Sequence, residues 1–249
     1  MGRFASTVDF YSRYREPYTA QFFRTVAERL AFQNSDILLD VGCGPALLAL
    51  GFAPFVAHCT GIDPEPAMLE AAEKAAVEAG IALELRHTRL EDFRSSARFN
   101  IITIGRALHW FDRDPALAKL DELLDPHGRI LICGASSIDN EGTPWLKPYN
   151  DLRRAFASND ETLYEKDGAR WFAGSVFTQV GQITVPEHRS VTIPELIGRT
   201  LSKSNTSPAV LGSRRAELEQ EMTAILEPFL EHGALREQIV ARATVFARP

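Results

Sequence analysis

The chain of 249 residues is 45% apolar and carries a net charge of −6, with a pI of about 5.6. Its length allows one large domain or a core with an inserted lid. The acidic balance argues against a general nucleic-acid binder, which would present a basic face. No run approaches the ~18 apolar residues of a membrane helix, and the first residues form no apolar signal core. We therefore expect neither a nucleic-acid nor a membrane partner.

The N-terminal stretch, residues 1–34, is expected to be a helical cover. Aromatic and arginine residues fill its start, and Glu16 and Pro17 then predict the beginning of a helix, because proline is tolerated in a first turn. Two interpretations of Tyr11 and Tyr14 remain open, a hydrophobic clasp or contact with a ligand.

The next stretch is a continuous apolar run from Ile37, typical of a strand that is buried on both faces. The chain then passes Gly42 and Gly44, and glycine lets a backbone bend sharply against a bound molecule. A short helix of small apolar residues is predicted from Ala46. Asp40 stands at the end of the strand, where a carboxylate repels phosphate and suits a cationic ligand group.

A second acid, Asp63, ends the next predicted strand, 56–62. In open α/β sheets an acid at this place binds the two ribose hydroxyls. The pattern predicts a ligand with a ribose, an ammonium group and no phosphate. S-adenosylmethionine fits this description. NAD fits it poorly, since Leu47 also stands where a dinucleotide-binding turn needs its third glycine.

Further elements follow in order along the chain. The predicted strands are 81–85, 101–105, 129–133, 179–192 and 238–247, and the predicted helices are 66–77, 114–124, 145–156, 194–203 and 213–231. A turn at 126–128 is expected to precede the fifth strand. Ser213 is expected to cap the last helix.

Cysteine usage indicates the redox setting. The three cysteines, Cys43, Cys59 and Cys133, each fall in or next to a predicted buried strand, and no pair has metal-ligand spacing. We therefore expect reduced core cysteines, no metal site and a cytoplasmic location.

Three segments carry a resemblance to a known family. The sequence DVGCG at 40–44, the sequence GIDP at 61–64 and the sequence ALHWF at 107–111 resemble motifs of the class I S-adenosylmethionine-dependent methyltransferases. The last of these is similar to the branch that includes trans-aconitate methyltransferase-like enzymes. The resemblance covers mainly residues 35–135. Ala46 departs from it, because the family often has a third glycine there.

The resemblance implies an α/β fold of the Rossmann-like three-layer type. Its sheet is expected to have seven mostly parallel strands with the last one antiparallel, and a helical lid is expected above the sheet. After the N-terminal cover, the implied divisions are a cofactor-binding core at 35–135, a lid insertion at 136–178, and closing strands and helices at 179–249.

The cofactor contacts that the resemblance implies follow the carboxyl ends of the first four strands. They are Asp40, Gly42, Cys43, Gly44, Asp63, Pro64, Met68, Leu90, Glu91, Gly105, Arg106 and Trp110. Gly105 and Arg106 would border the methionine part of S-adenosylmethionine. Glu91 would accept the adenine amino group, since Arg89 stands where similar enzymes carry an acid, although a solvated acidic turn is the other interpretation. Valine at Gly42 would then fill the cofactor's space and abolish binding with the fold intact.

The catalytic candidates are His109, Tyr11 and Tyr14. A hydroxyl or amine acceptor requires a base, whereas a carboxylate acceptor requires none. His109 is either structural or, beside Trp110 at a strand end, functional. The predicted function is methyl transfer to a small-molecule carboxylate or hydroxyl. A non-catalytic S-adenosylmethionine-binding regulatory protein is the alternative.

An anionic methyl acceptor is suggested by basic residues in the C-terminal half. These residues are Lys147, Arg153, Arg154, Arg199 and Lys203. The hypothesis is that Arg199 or Lys203 binds a substrate carboxylate, as the resemblance to carboxylate-methylating enzymes implies.

Overall fold

The computed structural model describes residue 10 and residues 13–158 and 168–249. Its main feature is a seven-stranded sheet with the strand order β3-β2-β1-β4-β5-β7-β6. The strands are β1 (Ile37–Val41), β2 (His58–Asp63), β3 (Glu84–His87), β4 (Phe99–Gly105), β5 (Leu124–Ser137), β6 (Thr178–Val191) and β7 (Leu235–Ala247). The sheet is mostly parallel with one antiparallel strand, which confirms the predicted fold class.

Helices separate most of the strands. The α-helices are α1 (Ala20–Arg29), α2 (Leu47–Phe52), α3 (Pro66–Ala79), α4 (Arg113–Leu123), α5 (Leu146–Phe156), α6 (Gly168–Phe172), α7 (Ile193–Leu201), α8 (Pro208–Leu211) and α9 (Arg215–Leu226). Single 3₁₀ turns are Ala53–Phe55, Leu108–Trp110, Ser204–Thr206, Gly212–Arg214 and Glu227–Phe229. None of the helices in the described ranges has the length and apolar character that a bilayer crossing requires.

Strand β1 lies at the centre of the sheet, between β2 and β4, and pairs with both in parallel. Asp40 is opposite Gly61 on one side and Thr103 on the other. The order of the strands reverses here, and ligands of open α/β sheets bind at such a reversal, outside the carboxyl ends of the strands. The register therefore brings the bend after β1, the end of β2 and the exit from β4 to one edge.

The chain divides into two compact units, each discontinuous in sequence. Among the described residues, the larger unit comprises 18–134, 168–185 and 241–249, and the smaller comprises 10, 13–17, 135–158 and 186–240. The core of the larger unit packs the central strands against α4 and includes Phe172 stacked on Phe246, with ring centroids 4.3 Å apart. The core of the smaller unit packs residues of α5, α7 and α9 around the buried Trp145.

Three local predictions are wrong, each for a stated reason. The first helix begins at Ala20 rather than near Pro17, because the hydroxyl of Thr19 accepts a hydrogen bond from the Phe22 N–H and caps the helix there. Ser213 does not cap α9, which follows a 3₁₀ turn and has no side-chain cap.

The third correction concerns the turn predicted at 126–128. These residues lie inside β5, where the register with β4 shifts between Phe99 and Ile101. The Asp125 carboxylate accepts a hydrogen bond from the His127 N–H at 2.9 Å, so the local turn chemistry forms within the irregular strand.

The three cysteines are free and buried, as predicted. Burial raises the pKa of Cys59 to about 12, with the negative charge of Asp40 as the second cause. Burial also raises the pKa values of Cys43 and Cys133. These thiols are inert side chains of the core.

Candidate functional site

The bend after β1 is built from three residues in the left-handed region. Gly42, Gly44 and Ala46 have φ values of +62°, +54° and +59°. Glycine adopts this conformation without steric cost, whereas an alanine there costs about 1–2 kcal/mol. Ala46 therefore has the backbone conformation expected of the third glycine that the resembled family often has here.

The two glycines of the bend face different surroundings. A Cβ at Gly42 would lie 2.7 Å from the Cβ of Ala107, whereas a Cβ at Gly44 would meet only the Met68 sulfur at 3.8 Å. The expectation that valine at Gly42 fills ligand space with the fold intact is therefore wrong, because that side chain would collide with the protein. Gly44 faces the open side of the bend.

Asp63 ties the end of β2 to this bend. One carboxylate oxygen accepts the Gly44 N–H at 2.9 Å and the other accepts the Glu65 N–H at 2.9 Å. Asp63 is 8% exposed, and burial raises its pKa despite these two hydrogen bonds. Each carboxylate oxygen has a second lone pair, so the side chain can still accept hydroxyl donors.

Asp40 lies beneath the bend and is only 1% exposed. Its oxygens accept hydrogen bonds from the Thr103 hydroxyl at 2.8 Å and the Ala49 N–H at 3.2 Å. Burial raises the pKa of Asp40 to about 7, which the two hydrogen bonds oppose and the charge of Asp63 supports. These contacts favour an anchoring role for Asp40, which joins α2 to β4, over the predicted direct contact with a cationic group.

The remaining candidates near β2 line the same edge. The Cys43 N–H donates to the Ile62 carbonyl at 3.0 Å, and Cys43 is 8% exposed. Pro64 is exposed, and its carbonyl oxygen lies 2.9 Å from Nε2 of His87. Met68 is buried on the first turn of α3.

The loop after β3 contains the two candidates for the adenine edge. Leu90 is 2% exposed and belongs to the core of the larger unit. Glu91 is half-buried, and its carboxylate lies 3.8 Å from Nε of Arg89. Arg89, which replaces the expected acid, therefore forms an ion pair with Glu91.

The exit from β4 places the next group of candidates. Gly105 ends the strand, and Arg106 follows with a left-handed φ of +58°. His109 and Trp110 lie on the 3₁₀ turn, both half-buried, with ring centroids 4.8 Å apart and planes at 45°. A titratable imidazole thus lies where this sheet type places its chemistry.

Comparison with known proteins identifies the segment that contains this site. A family model described as "Methyltransferase domain" matches residues 39–132. The ubiquinone biosynthesis O-methyltransferases of Methylocella silvestris and Cereibacter sphaeroides are 34% and 32% identical over 39% and 47% of this chain. Residues 39–132 therefore match a methyltransferase domain, in agreement with the predicted resemblance to the class I S-adenosylmethionine-dependent methyltransferases. The matched part is 34% and 48% of those two relatives, so the chain spans a third to a half of their length.

Solved structures extend the likeness in fold beyond this methyltransferase domain. A structure described as a type II methyltransferase from Anaeromyxobacter dehalogenans has a TM-score of 0.70 at 17% identity, covering 94% of this chain and 97% of its own. A methyltransferase from Thiobacillus denitrificans in complex with S-adenosyl-L-homocysteine has a TM-score of 0.56 at 15% identity, covering 100% and 99%. These similarities show a shared fold.

The tyrosine candidates are not part of the methyltransferase domain. Tyr11 lies outside the described residues. Tyr14 belongs to the smaller unit, where a Cβ at Gly198 would lie 2.4 Å from its ring and Phe10 is 6.1 Å away between centroids. This packing favours the hydrophobic clasp for Tyr14. Sequence reasoning missed Tyr18, whose hydroxyl would lie 3.6 Å from a Cβ at Gly105.

The hypothesis that Arg199 or Lys203 binds a substrate carboxylate is wrong for Arg199, and for Lys203 it stays a prediction. Arg199 is 1% exposed, and its two terminal nitrogens donate to the Glu237 carboxylate at 2.5 and 3.1 Å. Arg189 donates to the same carboxylate at 2.7 Å. Arg199 is therefore part of a buried ion network of the smaller unit. Within the described ranges, no cluster of three or more His, Cys, Asp or Glu residues suits a metal ion.

Proposed function

We propose that this protein transfers the methyl group of S-adenosylmethionine to an oxygen atom of a small molecule. One observation carries the proposal: the left-handed bend of the methyltransferase domain has its Gly44 N–H bonded to Asp63, beside the open face of Gly44. Curated relatives of this domain are named O-methyltransferases, which supports oxygen as the acceptor atom.

In this proposal Asp63 binds the ribose hydroxyls. Its carboxylate keeps lone pairs beyond those used by Gly44 and Glu65, and a charge-assisted hydrogen bond to a hydroxyl is roughly twice as strong as a neutral one. Gly44 provides room because its nearest neighbour is the Met68 sulfur. Asp40 lies beneath the bend with its pKa raised to about 7, and the ammonium and sulfonium groups of the ligand would favour its ionised form.

The chemistry requires little covalent participation from the protein. S-adenosylmethionine supplies an activated methyl group for an in-line displacement, so the protein mainly positions the reactants and excludes water. For a hydroxyl acceptor, His109 takes the acceptor proton at an imidazole nitrogen. For a carboxylate acceptor His109 only packs beside the reacting atoms.

The acceptor is proposed as a small molecule and its charge is left to experiment. Arg199 no longer supports the anionic acceptor predicted from the sequence, because its guanidinium is paired with the Glu237 carboxylate. No nucleic-acid partner is expected, because the net charge of −6 opposes binding to a polyanion.

The test measures release of S-adenosylhomocysteine with a panel of phenolic hydroxyls and of di- and tricarboxylates. Turnover confined to hydroxyls, lost in His109→Ala, supports O-methyl transfer with His109 as base. Turnover of carboxylates that survives in His109→Ala supports carboxylate methylation. Binding of S-adenosylhomocysteine without turnover of any acceptor favours the non-catalytic binding protein, and absence of binding contradicts both functions.

A further inference from the structure

His87 ends strand β3 beside the carboxylate that is proposed to bind the ribose. In the parallel pairing of β2 with β3, His87 is the residue opposite Asp63. The backbone holds the two strand ends together, because the Thr88 N–H donates to the Asp63 carbonyl oxygen at 3.2 Å. His87 is exposed, so solvent protons can reach its imidazole.

A single peptide group links the His87 imidazole to the Asp63 carboxylate. Nε2 of His87 lies 2.9 Å from the Pro64 carbonyl oxygen. A carbonyl oxygen only accepts hydrogen bonds, so Nε2 carries the hydrogen and donates it. The N–H of the same peptide group belongs to Glu65 and donates to the Asp63 carboxylate, also at 2.9 Å. The peptide between Pro64 and Glu65 is therefore hydrogen-bonded at both ends.

Two hydrogen bonds in series through one peptide strengthen each other. A donor at the carbonyl oxygen polarises the peptide group, and the polarised group makes its own N–H a stronger donor. An imidazolium polarises the peptide more than a neutral imidazole does, since hydrogen bonds from charged donors are roughly twice as strong as neutral ones. Protonated His87 therefore favours the ionised form of Asp63 through the peptide, and its charge also acts directly on that carboxylate.

The Asp63 carboxylate lies where its surroundings disfavour its charge. Burial raises the pKa of Asp63 most, and the negative charge of Glu65 adds to the rise. The N–H groups of Glu65 and Gly44 and the charge of His87 act in the opposite direction. An ionised carboxylate binds hydroxyl donors more strongly than a neutral carboxyl group does. The charge state of Asp63 therefore affects how well it binds a ribose as pH falls.

Other titratable and charged groups surround the two strand ends. Asp40 and Cys43 are on the β1 side, and the charge of Asp63 contributes to the raised pKa of both. These groups are common to the wild type and to variants of His87, so their direct contributions cancel in a comparison. The charged residues on β3, in the loop after it and on α3 are Glu84, Arg86, Arg89, Glu91, Glu70, Glu73, Lys74 and Glu78.

We propose that His87 is the positioning residue for Asp63, and that protonated His87 keeps this carboxylate ionised and able to bind a ribose as pH falls. The inference rests on the proposed function, because it takes Asp63 as the ribose ligand. A purely structural role makes a different prediction. If His87 only fixed the peptide after β2, any side chain with a donor in the same place would replace it equally well at every pH.

The experiment measures the Kd of S-adenosylhomocysteine by calorimetry for the full chain and for His87→Gln. Glutamine keeps an N–H donor for the Pro64 carbonyl but has no titratable charge. At about pH 8, where histidine side chains are ordinarily neutral, we expect equal affinities. At about pH 5.5 we expect His87→Gln to bind about three- to tenfold more weakly than the wild type. His87→Ala removes the donor as well and should bind more weakly than the wild type at both pH values.

The Asp63→Asn background tests whether the effect passes through this carboxylate. Asparagine has no charge at either pH, so in that background His87→Gln should cause no pH-dependent difference in Kd. The matched control is His58→Gln, because His58 is an exposed histidine at the amino end of β2, the opposite end from Asp63. This control should leave the Kd equal to that of the wild type at both pH values.

The outcomes distinguish failure of the inference from failure of the proposed function. If the ratio of the His87→Gln and wild-type Kd values is the same at both pH values, or changes with pH in Asp63→Asn as well, the role of His87 is overturned while the proposed function stands. Failure of the wild type to bind S-adenosylhomocysteine at about pH 8 overturns the proposed function itself. A ratio that changes with pH only when Asp63 is present supports the proposal.

Discussion

At the scale of single residues, Asp63 fixes the bend and is the residue proposed to bind the ribose. It fixes the bend through the Gly44 N–H and keeps lone pairs for hydroxyl donors. We expect Asp63→Ala to weaken S-adenosylhomocysteine binding by about 1–3 kcal/mol, measured by calorimetry. Glu84→Gln is the matched control, because Glu84 is a carboxylate of the neighbouring strand that pairs with Arg86. Unchanged affinity in Asp63→Ala would place the ribose elsewhere.

Asp40 makes stability depend on pH in a defined direction. Burial raises its pKa from 3.8 to about 7, so the folded protein holds this proton more tightly than the unfolded chain. The resulting stabilisation is present below about pH 4 and is lost as pH rises towards 7. Asp40→Asn should lack this pH dependence. Between pH 4 and pH 7 the free energy of unfolding of the wild type should therefore fall by on the order of a few kcal/mol relative to that of the variant.

Urea unfolding of both proteins from pH 4 to pH 8 measures this difference. The pKa of Asp63 is also raised by burial, but Asp63 is present in both proteins and its direct contribution cancels in the comparison. Parallel stability curves for wild type and Asp40→Asn would contradict the assignment of the proton to Asp40.

At the scale of elements, we expect the two glycines of the bend after β1 to differ, with Gly42 important for stability and Gly44 for cofactor binding. Gly42→Ala and Gly44→Ala share the cost of a left-handed alanine, about 1–2 kcal/mol. Only Gly42→Ala adds a collision with Ala107, so we expect it to unfold at a clearly lower urea concentration. Gly44→Ala should retain more stability and lose S-adenosylhomocysteine affinity. Equal stability of the two variants would contradict the difference in their surroundings.

The same elements show what the sequence could predict. The apolar runs and their terminal acids predict β1, β2 and the bend, because those signals are local. Other features depend on residues that are far apart in the sequence. Asp40 accepts a hydrogen bond from Thr103, 63 residues away, so the local motif at 40–44 could not predict that Asp40 is a buried anchor. Which tyrosine lies beside Gly105 is likewise a tertiary question: the sequence offered Tyr11 and Tyr14 as candidates, whereas the structure places the Tyr18 hydroxyl 3.6 Å from a Cβ at Gly105.

At the scale of the whole molecule, the smaller unit contains a buried ion pair that affects stability. Burial alone would raise the pKa of Glu237, but Arg199, Ser137 and Arg189 together hold it below its usual value. Glu237→Gln leaves Arg199 buried with only the more distant Glu16 carboxylate, 4.0 Å from its Nε, as counter-charge, and we expect a loss of about 3–5 kcal/mol of unfolding free energy.

Two further variants check this prediction by urea unfolding. Arg189→Gln removes the partly exposed partner of the same carboxylate, with a side chain 25% exposed, and should cost much less. The double change Arg199→Met with Glu237→Met removes both charges and should cost less than Glu237→Gln alone. A double variant less stable than the single one would mean that the pair itself contributes most of the stability.

The three buried thiols should be unreactive in the native protein and become reactive only when the structure around them opens. Cys43, Cys59 and Cys133 are free, buried and held in the protonated form by their surroundings, so an alkylating reagent meets no thiolate while the sheet is intact. The rate at which a reagent alkylates each cysteine should therefore report how often the strand or bend that contains it opens locally. If a ligand occupies the bend, alkylation at Cys43 should slow more than alkylation at Cys59 or Cys133.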